Sequence, residues 1–380
     1  MKKLLIDVNP IVPYFISGNV SGIGRTTLEL VEALAKVDDL PFEITLFSHN
    51  FKGIGAKNMD VPFRKKHLYL RNRENWNKLI AKFPIREWFT GYDLQHITHN
   101  FEYVRHPEKC IVTLHDALFM KLQEKAFGHD KMKVIVPPFI QRCKHVITCS
   151  ESSKRDIVET IGINPEKVSV IYWGINHNVF KPLENKVYIA RKLQEKYNLQ
   201  SPYILSVSCN AERKRTDKLV RAYIEYGESN VPQNDLVLVW RNPPQDLLED
   251  IAKSKYCDNI HILKNVSDND LALLYNGAKV FVFPSVYEGF GLPLIEAMAC
   301  GTPVVTCKNS SLDEIAQDAA IYLDEPVVQS LVKILSTIDA NQFPWEGLIE
   351  KGLQRAQQFN WQNTAKETIK IYNSCFNSCL

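Results

Sequence analysis

What the 380-residue chain lacks narrows its possible functions before any motif is weighed. Its first residues are not expected to serve as an export or anchoring signal. MKKLLIDVNPIVPYF has two lysines and a short apolar stretch, but Asp7, Asn9, Pro10 and Pro13 interrupt it, so neither a signal-peptide core nor a membrane span forms. It lacks a metal-binding run. The nine cysteines are scattered, and although Cys375 and Cys379 stand four apart, no His or Cys cluster supports a metal site. Without export, such thiols suit a reducing cytoplasm and small buried positions, and the sequons at Asn19, Asn265 and Asn309 carry no weight. The G-x-G-x-x-G fingerprint is also missing, and no acid follows a second strand at the required distance, which disfavours a nicotinamide cofactor. Nor is there a large charge excess: 46 Lys+Arg stand against 43 Asp+Glu.

What is present is 45% apolar and 23% charged residues, ordinary for a folded chain with room for two full cores. The small positive charge is unevenly spread, with 25 basic to 19 acidic residues in 1–180 and 21 to 24 in 181–380. Much of the excess lies in Arg64 to Arg86. There Arg64, Lys65, Lys66, Arg71, Arg73, Lys78, Lys82 and Arg86 are interleaved with Phe63, Tyr69, Trp76 and Phe83. One reading is the solvated face of a loop and helix. The other is contact with an anionic membrane surface or acidic acceptor, which attracts basic segments and seats aromatic rings at its interface. Nucleic acid is not expected as a partner.

Read in order, KKLLIDV is a buried first strand, and Ser17 to Arg25 is a Gly-rich loop leading into the amphipathic TTLELVEALAKV. This strand, loop and helix open a doubly wound α/β domain with an anion-binding helix start. Strand-like runs at 43–49, 93–99, 110–116, 145–150 and 168–175 continue it. Ligands in open α/β sheets bind at the carboxyl ends of strands, where His99, His115, Asp116 and Ser150 fall. For His99 a structural role is expected; His115 has the better claim, and Asp116 is a candidate cap for the next turn. The polar stretch Asn178 to Ser201 reads as a hinge. Strand patterns then resume at 202–208, 235–240, 259–266, 279–285 and 302–307, with the basic loop Arg213-Lys214-Arg215 after the first of them.

The second half is organised around FVFPSVYEGFGLPLIEAMACGTP, residues 281–303. An apolar strand ends at Pro284, a turn with Gly289 and Gly291 follows, and Leu292-Pro293 opens an apolar helix. Such a loop aims backbone N–H groups and the positive end of a helix at an anion, above all phosphate. Glu288 and Glu296 bracket it and suit hydroxyl groups on either side of that phosphate, as on a hexose and a ribose. Together these features describe a nucleotide-sugar site.

The motifs, taken together, resemble retaining glycosyltransferases of the GT-B fold, specifically family 4. The resemblance runs through SGIGRTTLELVEAL (21–34), TLHDALF (113–119), TCSESSKRDIV (148–158), VSVIYWGINHNVFKP (168–182), AERKRTDKLVRAY (211–223), VFVFPSVYEGFGLPLIEAMACGTPVV (280–305) and SSLDEIAQDAAIYLDE (310–325). The E-x7-E segment is its most specific part. The fold it implies is α/β, two Rossmann-like domains facing across a cleft: 1–180 for the acceptor, 181–360 for the donor, and a terminal helix, 361–380, packing back on the first.

By position, the resemblance implies that Glu288 contacts hydroxyls of the donor sugar and Glu296 holds the ribose. Gly289, Phe290, Gly291 and Leu292 would approach sugar and diphosphate with their backbone. Lys214, with Arg213, would neutralise the diphosphate, His115 would lie near the donor sugar, and Val266 would hold the base. Gly22 and Gly24 would form the loop facing donor and acceptor. Two departures stand out. The family's upstream arginine is replaced by the stretch Val207-Ser208-Cys209-Asn210, with Arg241 the candidate to compensate, and the Asn-Gly-Val-Asp turn reads Trp173-Gly174-Ile175-Asn176.

The implied function is transfer of a hexose to a hydroxyl of a glycan or lipid-linked glycan in bacterial cell-surface polysaccharide synthesis. It would take place in the cytoplasm or at the inner face of the membrane, with no metal and with the nucleoside-diphosphate sugar as co-substrate in place of a cofactor. The alternatives are an epimerase of the same fold, a phosphorylase, for which no pyridoxal-phosphate lysine motif is evident, and a non-catalytic nucleotide-sugar-binding scaffold. Retention of Glu288 and Lys214 weighs against the last.

Overall fold

The computed structural model describes residues 1–18, 21–70, 74–122, 129–200 and 202–378; the expectations that name Asn19, Arg71, Arg73, Ser201 and Cys379 lie outside them. The chain forms two compact units, Met1–Gly174 with Trp361–Leu380, and Ile175–Asn360. In the first, β1 (Lys2–Asp7), β2 (Phe42–His49), β3 (Arg64–Leu68), β4 (Leu94–Ile97), β5 (Cys110–Thr113), β6 (His145–Thr148) and β7 (Val168–Val170) make one parallel sheet in the order β3-β2-β1-β4-β5-β6-β7. In the second, β8 (Tyr203–Ser208), β9 (Asp235–Trp240), β10 (Ile260–Leu263), β11 (Val280–Phe283), β12 (Val304–Cys307) and β13 (Ala320–Leu323) are parallel in the order β10-β9-β8-β11-β12-β13. Both are doubly wound Rossmann-like sheets. Their central strands are buried along their whole length, as β4, β5, β11 and β12 are, because helices cover both faces of a parallel sheet.

Two strands departed from expectation. Arg64–Leu68, read as loop and helix, is the edge strand β3, and lysines on an edge discourage further pairing. Ala320–Leu323 is the other edge strand of the second sheet and is too short and mixed to stand out as a run. The first strand also does not lead directly into the Gly-rich loop. A 3-10 turn, Asn9–Ile11, and a short helix, Val12–Ser17, intervene before the helix Gly22–Leu34.

The last helix, Trp361–Asn377, packs on Gly22–Leu34 within the first unit. It is fixed by polar and aromatic contacts together. Tyr372 is fully buried, with its hydroxyl 2.7 Å from His96 Nδ1 and its ring edge-on to Phe42. Thr364 donates to the Tyr172 carbonyl at 2.8 Å, and Trp361 stacks on Trp173 with ring centres 6.2 Å apart. His96 Nε2 meets Thr113 Oγ1 at 2.8 Å, so one imidazole joins β4, β5 and the terminal helix. Its burial holds its pKa down to about 3 and the ring neutral. Among the described residues no helix is long and apolar enough to cross a membrane.

Candidate functional site

The second unit carries an ionic cluster at the carboxyl ends of β8 and β11. After β11 the chain runs through Ser285 to Gly291, the N-cap of the helix Leu292–Ala299. Gly291 has φ +104°, a backbone conformation that favours glycine, and a Cβ there would stand 3.0 Å from Leu312 Cδ2, close enough that the leucine would have to shift. Pro293 sits in the helix's first turn, where its missing N–H costs nothing. The loop is tied to its neighbours. Val286 N–H donates to the Arg213 carbonyl at 2.8 Å, Glu288 N–H donates to Ser310 Oγ at 2.9 Å, and Ser311 Oγ lies 2.9 Å from the Glu288 carbonyl and 3.0 Å from that of Phe290.

This bracing brings three predicted residues into contact. Glu288 Oε1 accepts from Lys214 Nζ at 2.7 Å, from Arg213 Nη1 at 2.9 Å and from Ser285 Oγ at 2.7 Å. Arg213 Nη1 also reaches the Tyr287 carbonyl at 3.1 Å, and Lys214 Nζ lies 4.5 Å from the centre of the Phe283 ring. The side chains of Glu288, Lys214 and Arg213 are only 11%, 12% and 17% exposed, which makes the cluster sheltered yet reachable. Burial works to raise the Glu288 pKa, but Lys214 and Arg213 outweigh it and hold the carboxyl below its ordinary range. Two cations around one anion leave a net charge of +1.

The other predicted residues of this unit are placed around the same strand ends. Glu296 is buried in the helix Leu292–Ala299, with Oε2 3.4 Å from the Tyr275 hydroxyl. Gly289 is half-buried in the loop, Phe290 packs edge-on against Phe359, and Leu292 opens the helix. Val266 is half-buried in the loop after β10, following Asn265 at φ +55°. At the position where the family's arginine is missing, Ser208 Oγ accepts from Thr216 Oγ1 at 2.6 Å. Arg241 is exposed beyond β9 and makes none of the cluster's contacts. Sequence reading did not single out Ser285, Ser310 or Ser311. Ser285 carried a signal as the first polar residue after a buried strand, and Ser310 and Ser311 carried one only as the opening of the 310–325 stretch.

In the first unit, His115 follows β5 and its Nε2–H donates to the Thr98 carbonyl at 3.2 Å, leaving Nδ1 as the acceptor nitrogen. Desolvation pushes its pKa down to about 4 although the carbonyl contact opposes it. Asp116, one residue ahead of the N-cap Ala117, accepts from Leu118 N–H at 2.9 Å and so braces the turn before the helix Leu118–Lys121; Ser150 is itself the N-cap of the helix Glu151–Ile161 and accepts from Ser153 N–H at 3.0 Å. Gly24 is the buried third residue of its helix and donates to the N-cap Ser21 at 3.1 Å; a Cβ on Gly22 would meet open space. Arg86 is not on a solvated basic face. It is buried over the Phe47 ring, with Nη2 3.9 Å from Glu102, because its helix turns it inward.

The fold also gathers Asp7, His49 and Glu102, all buried, with possible ligand atoms within 4.8 Å of one another. Asn9 decides what that group can do. Its Oδ1 accepts from His49 N–H at 2.8 Å and its Nδ2 donates to Asp7 Oδ1 at 2.7 Å, which sets the amide's orientation. The same Nδ2 lies 2.9 Å from His49 Nδ1, so Nδ1 accepts and Nε2 carries the proton. Neither ring nitrogen offers a spare lone pair to a metal.

Two family descriptions match in succession: "Glycosyltransferase Family 4" over residues 20–179 and "Glycosyl transferases group 1" over 190–355. The O-antigen chain mannosyltransferase B of Escherichia coli is 28% identical over 385 aligned residues, covering 93% of this chain and 96% of that relative. Among solved structures, sucrose-phosphate synthase from Thermosynechococcus elongatus is similar with a TM-score of 0.76 at 20% identity, over 99% of each chain. Anabaena Alr3699/HepE, in complex with UDP-glucose, gives 0.74 at 19% identity, over 98% of this chain and 100% of that one. With both halves matched in order, the chain belongs to the glycosyltransferases of the GT-B fold, a family 4 segment followed by a group 1 segment.

Proposed function

We propose that this glycosyltransferase moves a hexose from a nucleoside-diphosphate sugar to a hydroxyl of a glycan or lipid-linked glycan, with retention of configuration and without a metal, in bacterial surface-polysaccharide synthesis. The observation that carries this reading is the cluster of Lys214, Arg213 and Glu288 beside a helix start. A departing diphosphate needs fixed positive charge, and two sheltered side-chain cations with a helix N-terminus supply it. Mannose is the favoured sugar, since the mannosyltransferase relative aligns over nearly its whole length.

In this reading the bond from the anomeric carbon to the phosphate oxygen breaks on the face where the acceptor oxygen attaches. The leaving oxygen takes the acceptor's proton. Lys214 and Arg213 stabilise the departing charge, and Glu288 positions sugar hydroxyls instead of acting as a base. Glu296 binds the ribose and the backbone at Val266 the base. The backbone at Gly289, Phe290, Gly291 and Leu292 borders sugar and diphosphate. His115, neutral near pH 7, accepts a hydrogen bond through Nδ1, and Gly22 at the helix start leaves room for substrate while Gly24 aligns the turn from its buried position.

In the same reading, catalysis takes place in the cytoplasm at the membrane face. Trp76 and Trp88 (79% exposed) stand out from the helices Glu74–Lys82 and Ile85–Thr90, and Phe83 from the turn between them, alongside exposed Lys78 and Lys82, a combination that suits an anionic bilayer. The test is to screen UDP- and GDP-sugars for a raised melting temperature and for transfer to a glycan acceptor, then to read the product's anomeric configuration by NMR. No donor that stabilises or reacts would overturn the donor assignment. An inverted product would overturn retention alone.

A further inference from the structure

The cluster at Glu288 has a feature that the proposed reaction does not require. The two cations assigned to the diphosphate are already occupied by the carboxylate assigned to the sugar. A single oxygen, Glu288 Oε1, accepts from Lys214 Nζ at 2.7 Å, Arg213 Nη1 at 2.9 Å and Ser285 Oγ at 2.7 Å. An anionic oxygen receiving two cations and a hydroxyl at these distances is what a phosphate oxygen would also experience there. Burial and this pairing together make the arrangement strong, since a sheltered carboxylate stripped of its cations is costly. The loops that carry the partners are joined by the bond from Val286 N–H to the Arg213 carbonyl. The carboxylate therefore sits where it can exchange one set of partners for another without the loops separating.

We infer that Glu288 is a built-in stand-in for the donor's diphosphate, holding Lys214 and Arg213 when the site is empty and yielding them when a nucleotide sugar binds. The inference rests on the donor assignment above. It yields a selectivity that the assignment alone does not. When a nucleotide sugar enters, the displaced carboxylate finds new donors in the sugar hydroxyls. When a bare nucleoside diphosphate enters, no sugar is present, and Glu288 either keeps its cations or faces the phosphates as a like charge. Glu288 thus weakens binding of the free diphosphate far more than binding of the donor. After transfer, its return to Lys214 and Arg213 helps to expel the product.

The test is calorimetric titration of the full chain and of Glu288→Gln with UDP, GDP, UDP-glucose and GDP-mannose. Gln keeps the shape and the accepting oxygen but removes the competing charge. The expected result is that Glu288→Gln binds its preferred diphosphate roughly tenfold tighter than the wild type while gaining little or nothing for the matching nucleotide sugar. A diphosphate affinity that is unchanged or weaker, with wild-type binding intact, overturns this inference and leaves the donor assignment standing. Failure of all four nucleotides to bind the wild type overturns both. If Glu288→Gln does not fold, Glu288→Asp serves. It keeps the charge but withdraws it by one methylene, and the diphosphate should gain affinity by a smaller factor; no gain counts against the inference.

Discussion

The two units share a fold but solve the handling of polar groups at their strand ends in different ways. In the second unit the residues after β8 and β11 form an ion cluster in which Glu288 bridges Lys214 and Arg213. In the first unit the polar groups are instead imidazoles that burial keeps neutral, His96 within β4 and His115 after β5, and an Asp7–Asn9–His49 chain at the ends of β1 and β2 with its amide orientation set. The contrast follows the proposed division of labour. A diphosphate must be met by fixed charge, while a glycan offers only hydroxyls, which hydrogen-bonding groups can hold without formal charge. Charge needs particular residues at particular places; hydroxyl recognition can be met in many ways. The donor half is therefore the half with sharp motifs.

The comparison breaks most readily at Lys214. Lys214→Ala should reduce turnover on the order of 100-fold or more, the scale for losing one group that stabilises developing charge. Steady-state assay with the preferred donor checks it, and near-normal turnover would remove the cluster from the chemistry. Gly291→Ala should be next, at about 1–3 kcal/mol of stability, because it forces a side chain into a left-handed backbone against Leu312. Its melting temperature and its donor affinity should fall together.

In the first unit the expected effects are on stability. Tyr372→Phe removes the hydroxyl beside His96 Nδ1 and should cost about 1–2 kcal/mol in urea unfolding, with the nucleotide affinity of the folded protein unchanged. The pH dependence sharpens the same point. His96 titrates at about 3 when folded, so as pH falls from its ordinary value near 6.5 the unfolded chain takes up a proton that the folded one refuses. Stability from this group is complete above pH 6.5 and should be lost on acidification at about 1.4 kcal/mol per pH unit. Urea midpoints between pH 7 and 5, compared with His96→Gln, isolate it; a slope equal in both proteins would assign the loss elsewhere. The smallest effect on transfer is expected from Trp88→Ala, which should reduce pelleting with anionic liposomes at low salt while leaving turnover on a soluble acceptor unchanged.

Much of both sheets was legible because buried parallel strands are local apolar runs, and eleven of them stand out between turn residues and amphipathic helices. The strands that escaped notice are edges. β3 reads RKKHL, whose charges look like a surface loop, and β13 is four residues long. The candidate site was legible as residue types but not as contacts. E-x7-E and the basic loop after β8 named Glu288, Lys214 and Arg213, yet assigned the acid to one part of a ligand and the cations to another.

By itself, the sequence determined the alternation of strand and helix, the glycine that the turn at 291 favours, and the chemical kinds of groups at the strand ends. These follow from rules that act over a few residues: side-chain periodicity, the φ values glycine permits, and the missing N–H of proline. Only the tertiary structure decided which of those groups meet. Arg213 and Glu288 lie 75 residues apart, and His96 and Tyr372 lie 276 apart. The same holds for the inward turn of Arg86 and for the role of Asn9 in setting the His49 tautomer. A charge or an imidazole takes its character from what surrounds it in space, and that surrounding exists only once the chain has folded.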